Sequence, residues 1–292
     1  MTQSTCHSFP RLGAHMSIAG GFERAIERGL KVGCQTIQIF SKSNNQWQAP
    51  AITPEQAARF QQAVGDSGVG PVFAHDAYLI NVGSPNPKVY GQSKDALKRE
   101  VERATLLGLA FVVMHPGAHT GSGEEECLKR IAQTVAWVLD QTKGSSVRIL
   151  YENAAGQGST VGYSFEHLAT LIKLTGRNDR VGVCLDTCHL FAAGYDIRTP
   201  DGYAKTIADL DRIVGLKWIQ AVHLNDSKKE LGSRVDRHEH IGKGRIGLEA
   251  FRCLLNDPRL NRVPMVLETP KDEECAEDVM NLKVLRGLLN HD

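Results

Sequence analysis

The sequence predicts an α/β fold, a TIM (β/α)8 barrel with its active site at the C-terminal ends of the strands. Short apolar runs rich in β-branched residues recur eight times, and stretches of helical periodicity lie between them. The length of 292 residues is close to the ~250 that such a barrel typically takes. Eight repeats favour closure into a barrel over an open parallel sheet.

The eight predicted strands are short apolar segments that follow one another along the whole chain. Their length and their β-branched and aromatic content favour strand over helix. They comprise residues 11–14, 36–40, 71–74, 111–114, 147–151, 181–185, 219–224 and 265–267.

Five of the intervening segments repeat apolar residues at a spacing of three or four, which indicates helices with one buried face. They are residues 20–28, 94–107, 128–139, 165–174 and 206–214. Residues 225–247 are instead polar, charged and aperiodic, and a connection this long is usually a functional loop. No linker rich in Pro, Gly or Ser interrupts the pattern, so we predict a single barrel domain over residues 1–292.

The composition excludes several classes of protein. The net charge is +1, so any basic surface for nucleic acid must be gathered on one face. Seven scattered cysteines without a CxxC pair indicate reduced thiols and a cytoplasmic protein. The N-terminal residues lack the apolar core of a secretory signal, and no apolar run approaches the ~20 residues of a membrane helix.

Potential metal ligands occur where the predicted strands end. Because the C-terminal ends of barrel strands open on one face, these side chains are expected to meet there. The loop of residues 225–247 adds two more, whose side chains point the same way in an extended segment because they are two positions apart. The set is His75, His115, Glu152, Asp186, His189, His223, Asp236, His238 and Glu268.

Five histidines and four carboxylates suit zinc or manganese, and the excess of histidine favours zinc. A single His at a strand end is more often a structural hydrogen-bonding residue, and a single Asp there often caps the next helix. Four carboxylates buried together without cations would be costly, however. Two divalent ions would only neutralise them, whereas three would leave positive charge to hold a phosphodiester.

Three further features carry weaker predictions. His15 closes the first strand and could orient a metal ligand from behind. Cys188, close to Asp186 in sequence, is a weaker candidate ligand. The glycines of residues 154–159 match no phosphate-loop pattern, so we interpret them as a tight turn.

The sequence resembles the endonuclease IV family of apurinic/apyrimidinic endonucleases from residue 13 to residue 268. The motifs are HDAYLINVGSP (75–85), HPGAH (115–119), YENAAGQGS (151–159), VCLDTCHLFAAGYD (183–196), HLNDSK (223–228), GSRVDRHEHIGKGRIG (232–247) and LET (267–269). The resemblance implies three zinc ions with partly shared ligands. The ligand sets are His75, His115 and Glu152; Glu152, Asp186, His223 and Glu268; and His189, Asp236 and His238.

The resemblance also implies the reaction and the substrate. The reaction is hydrolysis of the phosphodiester on the 5′ side of an abasic site in double-stranded DNA, which leaves a 3′-hydroxyl and a 5′-deoxyribose phosphate. Glu152 and Glu268 are the expected catalytic residues, and we expect a monomer, associated with the nucleoid when it is on DNA.

Contacts with DNA are expected from loops that follow the strands. The resemblance implies that Tyr78 and Leu79 wedge into the base stack while the abasic sugar is extruded. A basic face could be formed by Lys42 and Arg237 together with Lys228, Lys229, Arg234, Lys243 and Arg245.

The sequence departs from the family pattern after the second strand. The family usually carries an arginine there that reaches the DNA near the lesion, whereas residues 41–47 read SKSNNQW and place Asn45 at that position. We predict that Asn45 faces the DNA at this position.

Two other functions fit the same barrel. Related barrels use metals for sugar isomerisation or epimerisation, although a third ligand trio at His189, Asp236 and His238 argues against that chemistry. A non-catalytic DNA-binding relative is the other alternative, and the intact ligand set argues against it. Fold alone would not separate these functions.

Overall fold

A closed barrel of eight parallel strands forms the centre of the molecule, as the computed structural model of residues 9–290 shows. This barrel confirms the predicted TIM barrel. Cys6 and most of the N-terminal segment examined for a secretory signal lie outside the described residues. The barrel strands are β1 (Leu12–Met16), β2 (Thr36–Phe40), β3 (Val72–His75), β4 (Phe111–Met114), β5 (Arg148–Glu152), β6 (Val181–Asp186), β7 (Ile219–His223) and β10 (Met265–Leu267).

Each barrel strand pairs with its sequence neighbour, and β10 closes the ring between β7 and β1. All eight predicted strands are present, with ends displaced by two residues at most. Two short strands outside the barrel, β8 (Asp226–Ser227) and β9 (His238–Glu239), form an antiparallel pair within the predicted functional loop.

Helices surround the barrel. Within residues 9–290 they are α1 (Phe22–Val32), α2 (Pro54–Ser67), α3 (Pro87–Leu107), α4 (Glu124–Gln141), α5 (Phe165–Thr175), α6 (Thr187–Ala193), α7 (Pro200–Ile213), α8 (Leu248–Leu255) and α9 (Ala276–Gly287). The five predicted helices are present, whereas α2, α6, α8 and α9 were not predicted. None of these helices is long and apolar enough to cross a membrane.

Capping residues explain where two of these helices begin. The side chain of Asn86 accepts hydrogen bonds from the backbone amides of Lys88 and Val89, so α3 starts seven residues before the predicted segment. Thr53 and Gln56 form a reciprocal capping box at the start of α2, and Pro54 occupies the first turn, where its missing N–H costs nothing.

The barrel interior is a small apolar core that lies directly beneath the candidate ligands. Successive side chains on a strand alternate between the interior and the surrounding helices. Six buried interior residues each lie two positions before a ligand candidate, so both members of each pair point inwards. The pairs are Phe73 and His75, Val113 and His115, Leu150 and Glu152, Cys184 and Asp186, Ala221 and His223, and Val266 and Glu268.

Candidate metal centre

The ligand candidates meet at the C-terminal mouth of the barrel, around the carboxylate of Glu152. The first group joins β3, β4 and β5. His75 Nε2 lies 3.0 Å and His115 Nε2 lies 3.3 Å from Glu152 Oε2. One ligand atom from each of the three residues lies within 4.8 Å of the others, which is close enough to hold one metal ion.

The second group shares Glu152 and continues round the barrel to β6, β7 and β10. His223 Nδ1 lies 2.9 Å from Glu152 Oε1 and 3.2 Å from Glu268 Oε2. It also lies 3.9 Å from Asp186 Oδ2. These four residues again offer ligand atoms within 4.8 Å of one another, and three of them are fully buried.

The third group combines α6 with the loop of residues 225–247. His189 Nε2 and His238 Nε2 lie 3.1 and 3.2 Å from the two carboxylate oxygens of Asp236. Both nitrogens are buried and neither has a hydrogen-bond partner. Buried polar atoms are rarely left unsatisfied, so these two nitrogens fit a site that a cation completes.

In three of the histidines, the second ring nitrogen contacts a backbone oxygen. Nδ1 of His75, His189 and His238 lies 2.8, 2.9 and 3.2 Å from the backbone oxygen of Asp76, Asn153 and Glu268, respectively. A backbone oxygen only accepts, so each Nδ1 carries a proton, and in the neutral imidazole that binds a metal each Nε2 presents its lone pair to the group. This is the usual arrangement of metal-ligating histidines.

The pKa values show how strongly the cluster attracts positive charge. Burial lowers the pKa of His75, but the hydrogen bond and charge of Glu152 outweigh it and raise the pKa to about 9. Burial likewise lowers the pKa of His238, and Asp236 with the charge of Asp186 raises it to about 9. Burial raises the pKa of Glu268, yet the charges of His223, His75 and His238 together outweigh that effect and bring it to about 2. The donor set and its charge therefore fit divalent cations.

Asp186 caps a helix and also faces the ligand group, two roles that the sequence analysis gave as alternatives. Its Oδ1 accepts the backbone N–H of His189 at 2.7 Å and so caps α6, while Oδ2 faces His223 and His238. Two buried amides fix it further. Asn153 Oδ1 accepts the N–H of Asp186 at 2.6 Å, and Asn225 donates to Asp186 Oδ2 at 2.6 Å.

Sequence reasoning missed the residue that organises the loop of residues 225–247. Asp226 is fully buried, and its carboxylate accepts four backbone N–H groups, three of them from residues 242–246. A Cβ on Gly244 would lie 2.4 Å from Asp226 Oδ1, so the loop approaches closely only because this residue is glycine. The motif HLNDSK contains Asp226, but three of its four partners lie 16 to 20 residues away.

Two predicted neighbours of the site are found close to it. His15 Nδ1 lies 3.8 Å from Glu268 Oε1 and 3.0 Å from the side chain of Gln38. The thiol of Cys188 is buried within reach of Asp186 and His238. Burial raises the pKa of that thiol to about 12, which disfavours the thiolate that a metal would need.

The candidate DNA contacts divide into exposed residues and one buried residue. Tyr78 is 63% exposed and Leu79 half-buried, and the Tyr78 ring lies 5.9 Å from that of His75, so the pair stands at the rim of the site. Asn45 and Arg237 are exposed. The other predicted basic residues are exposed as well, namely Lys228, Lys229, Arg234, Lys243 and Arg245.

The prediction that Lys42 contacts DNA is wrong. Lys42 is buried, and its ammonium lies 3.3 Å from the buried carboxylate of Glu100 and donates to the backbone oxygen of Gln46 at 2.8 Å. The ammonium of Lys42 is therefore paired inside the protein, where it joins the segment after β2 to α3.

Similar proteins point to one family. The chain matches the model of xylose isomerase-like TIM barrels over residues 26–286. A probable endonuclease 4 from Chloroflexus aurantiacus is 52% identical over 280 residues, which cover 96% of this chain and 98% of that relative. The chain belongs to the endonuclease IV family.

Further similar proteins agree with the fold. The probable endonuclease 4 of Geobacter sulfurreducens is 48% identical over 95% of this chain and 94% of its own length. The crystal structure of endonuclease IV from Thermus thermophilus superimposes with a TM-score of 0.85 at 39% identity, over 96% of this chain and 98% of that one. D-psicose 3-epimerase from Clostridium cellulolyticum shares the fold, with a TM-score of 0.69 at 15% identity over 96% of this chain and 100% of that one.

Proposed function

We propose that this protein is a zinc-dependent DNA repair endonuclease that hydrolyses the phosphodiester on the 5′ side of an abasic site in double-stranded DNA. The products are a 3′-hydroxyl and a 5′-deoxyribose phosphate. The observation that carries the proposal is the meeting of three ligand groups at the barrel mouth, two of them sharing Glu152. Membership of the endonuclease IV family supports it.

Three zinc ions would be held by the three groups. When bound, zinc supplies Lewis-acid stabilisation of negative charge on the phosphodiester and lets water act as a nucleophile near neutral pH. The three sets are His75, His115 and Glu152; Glu152, Asp186, His223 and Glu268; and His189, Asp236 and His238.

The protein's own residues orient and neutralise the site. Glu152 belongs to the first two groups and so fixes their spacing. Glu152 and Glu268 are the catalytic residues of our proposal. His75, His189 and His238 would bind through Nε2, because Nδ1 of each donates to a backbone oxygen. The rigid β-strands keep these directions unchanged when DNA binds.

Recognition of the lesion would use the rim of the mouth. Tyr78 and Leu79 lie where they could enter the base stack, and a missing base lowers the cost of extruding the sugar. Arg237 and Asn45 are exposed candidates for contact with the backbone or the grooves. We further propose that residues 1–292 act as one monomeric barrel domain in the cytoplasm, bound to the nucleoid when it is on DNA.

A duplex with one abasic analogue tests the function. The protein should cut it once, on the 5′ side of the lesion, and end-group analysis should find a 3′-hydroxyl. Treatment with a chelator should abolish cleavage, and added zinc should restore it. The intact duplex serves as the control. Cleavage that persists in metal-free protein, or a cut on the 3′ side, would contradict the proposal.

A further inference from the structure

We infer that Gln38 is a positioning residue that orients His223 and Glu268, and thereby sets the zinc affinity of the second ligand group. The inference rests on the proposed function only in taking zinc as the ion. Gln38 belongs to β2, a strand that contributes no ligand candidate of its own.

Gln38 is fully buried in the ring of strands beside the mouth. It lies in register with His15 on β1 and with Phe73 on β3. Its Oε1 lies 2.8 Å from His223 Nε2, and its Nε2 donates to Glu268 Oε1 at 2.5 Å. One planar amide thus contacts a histidine and a carboxylate of the same ligand group.

The chemistry of the partners fixes the orientation of this amide. Glu268 offers only acceptors, so the amide nitrogen must face it; the reverse orientation would set two oxygens against each other at 2.5 Å. The amide oxygen then faces His223 Nε2, which must carry the proton. His223 Nδ1 is left with its lone pair directed at Glu152 and Glu268, 2.9 and 3.2 Å away.

His223 differs in this respect from His75, His189 and His238, which are oriented by backbone oxygens. Its orientation depends on a side chain that a single substitution removes. Loss of Gln38 would leave His223 free to take the other tautomer and Glu268 without its donor. Removal of such a partner typically weakens metal binding by roughly 10- to 100-fold.

The test compares Gln38→Leu and Gln38→Glu with the parent protein. Leucine removes both hydrogen bonds, whereas glutamate keeps an acceptor for His223 and loses the donor to Glu268. Gln220→Leu is the matched control, because it deletes an amide from β7 at the N-terminal end of the barrel, where it pairs with Arg148. Zinc affinity is measured by competition with a chromogenic chelator, and cleavage by separate determination of kcat and KM.

We expect both Gln38 variants to bind one of the zinc ions roughly 10- to 100-fold more weakly and the others with unchanged affinity. We also expect kcat to fall more than KM rises. Unchanged zinc affinity in both variants, equal weakening of every ion, or the same loss in Gln220→Leu would overturn the inference. A parent protein that binds zinc but leaves abasic DNA intact would refute the proposed function instead, because the affinities still test Gln38.

Discussion

The candidate site is built by two parts of the molecule, namely the barrel with α6, which carries His189 directly after β6, and the loop of residues 225–247. Six ligand candidates stand at the ends of barrel strands, where each continues the alternation of an interior core residue. Asp236 and His238 belong to the loop of residues 225–247, whose path depends on Asp226 and four backbone N–H groups. The positions of the strand-end ligands are fixed by the sheet. The positions of the loop ligands depend on the buried carboxylate of Asp226. The third ion should therefore be separable from the other two.

Glu152 links the strand-end ligands to the third group, because it also contacts His189 of α6. Its carboxylate faces His75, His115 and His223, and Oε1 also lies 3.3 Å from His189 Nδ1. Glu152→Gln should release more than one zinc ion and lower kcat by several orders of magnitude. Elemental analysis and cleavage assays check this, with the exposed Glu55→Gln as control. Full zinc content with near-normal turnover would exclude Glu152 from the centre.

Asp226→Ala separates the two parts of the site. It leaves four backbone N–H groups without their acceptor, and each buried one costs about 1–3 kcal/mol. We expect the loop to open rather than the barrel to unfold, so zinc content should fall from about three ions to about two. Hydrogen exchange should accelerate in residues 225–247 and stay slow in the strands. Uniform acceleration throughout the chain would mean that loop and barrel are one cooperative unit.

Lys42→Ala tests whether the segment after β2 belongs to the scaffold or to the rim. The substitution removes the cation beside the buried carboxylate of Glu100 and leaves it only the hydroxyl of Ser41, so the free energy of unfolding should drop by about 3–5 kcal/mol. Denaturant titration measures it, and Lys42→Met with Glu100→Gln should recover part of the loss. Affinity for DNA at moderate salt should not change. A variant of unchanged stability that binds DNA more weakly would show that Lys42 contacts the DNA.

Tyr78→Ala combined with Leu79→Ala should affect the rim alone. Tyr78 is mostly exposed, so the free energy of unfolding should change by no more than about 0.5 kcal/mol for its part. Binding of abasic duplex should weaken by roughly tenfold or more, because stacking of ~1–3 kcal/mol is lost. Filter-binding or anisotropy titrations measure this. Equal affinity of variant and parent would remove the pair from the wedge.

Asn45→Arg should give the smallest effect. Asn45 is exposed and neutral, so an arginine there adds a cation at the protein surface. Binding of abasic duplex should tighten, and the slope of affinity against salt should steepen by up to about one unit. Titrations at several salt concentrations decide it. Identical slopes would place Asn45 outside the DNA path.

The sequence was sufficient for the barrel and for the residues that gather at its mouth. Side chains two positions apart on a strand point the same way, as Leu150 and Glu152 do. The sequence shows such pairs because both residues lie close together in the chain. Metal occupancy and the roles of the DNA-facing residues stay predictions.

Three of the misses share a physical cause, and the fourth is local. Gln38 and Asp226 act through partners far away in the chain, and one sequence does not show which strand ends become neighbours. Lys42 was misplaced because a lysine in a loop is usually solvated, and its burial depends on Glu100 in α3, 58 positions on. The start of α3 was missed because a cap at Asn86 outweighed the weak periodicity that follows it.

Closure of the barrel has a consequence for the range of chemistry that its mouth can support. In a ring without free edges no strand can slip alone, because any slip must be matched by its two neighbours. The mouth therefore offers a fixed set of directions that belongs to the backbone, while the chemistry belongs to whichever side chains occupy it. This chain of the endonuclease IV family and D-psicose 3-epimerase can therefore share the same barrel at 15% sequence identity while they carry different side chains at its mouth.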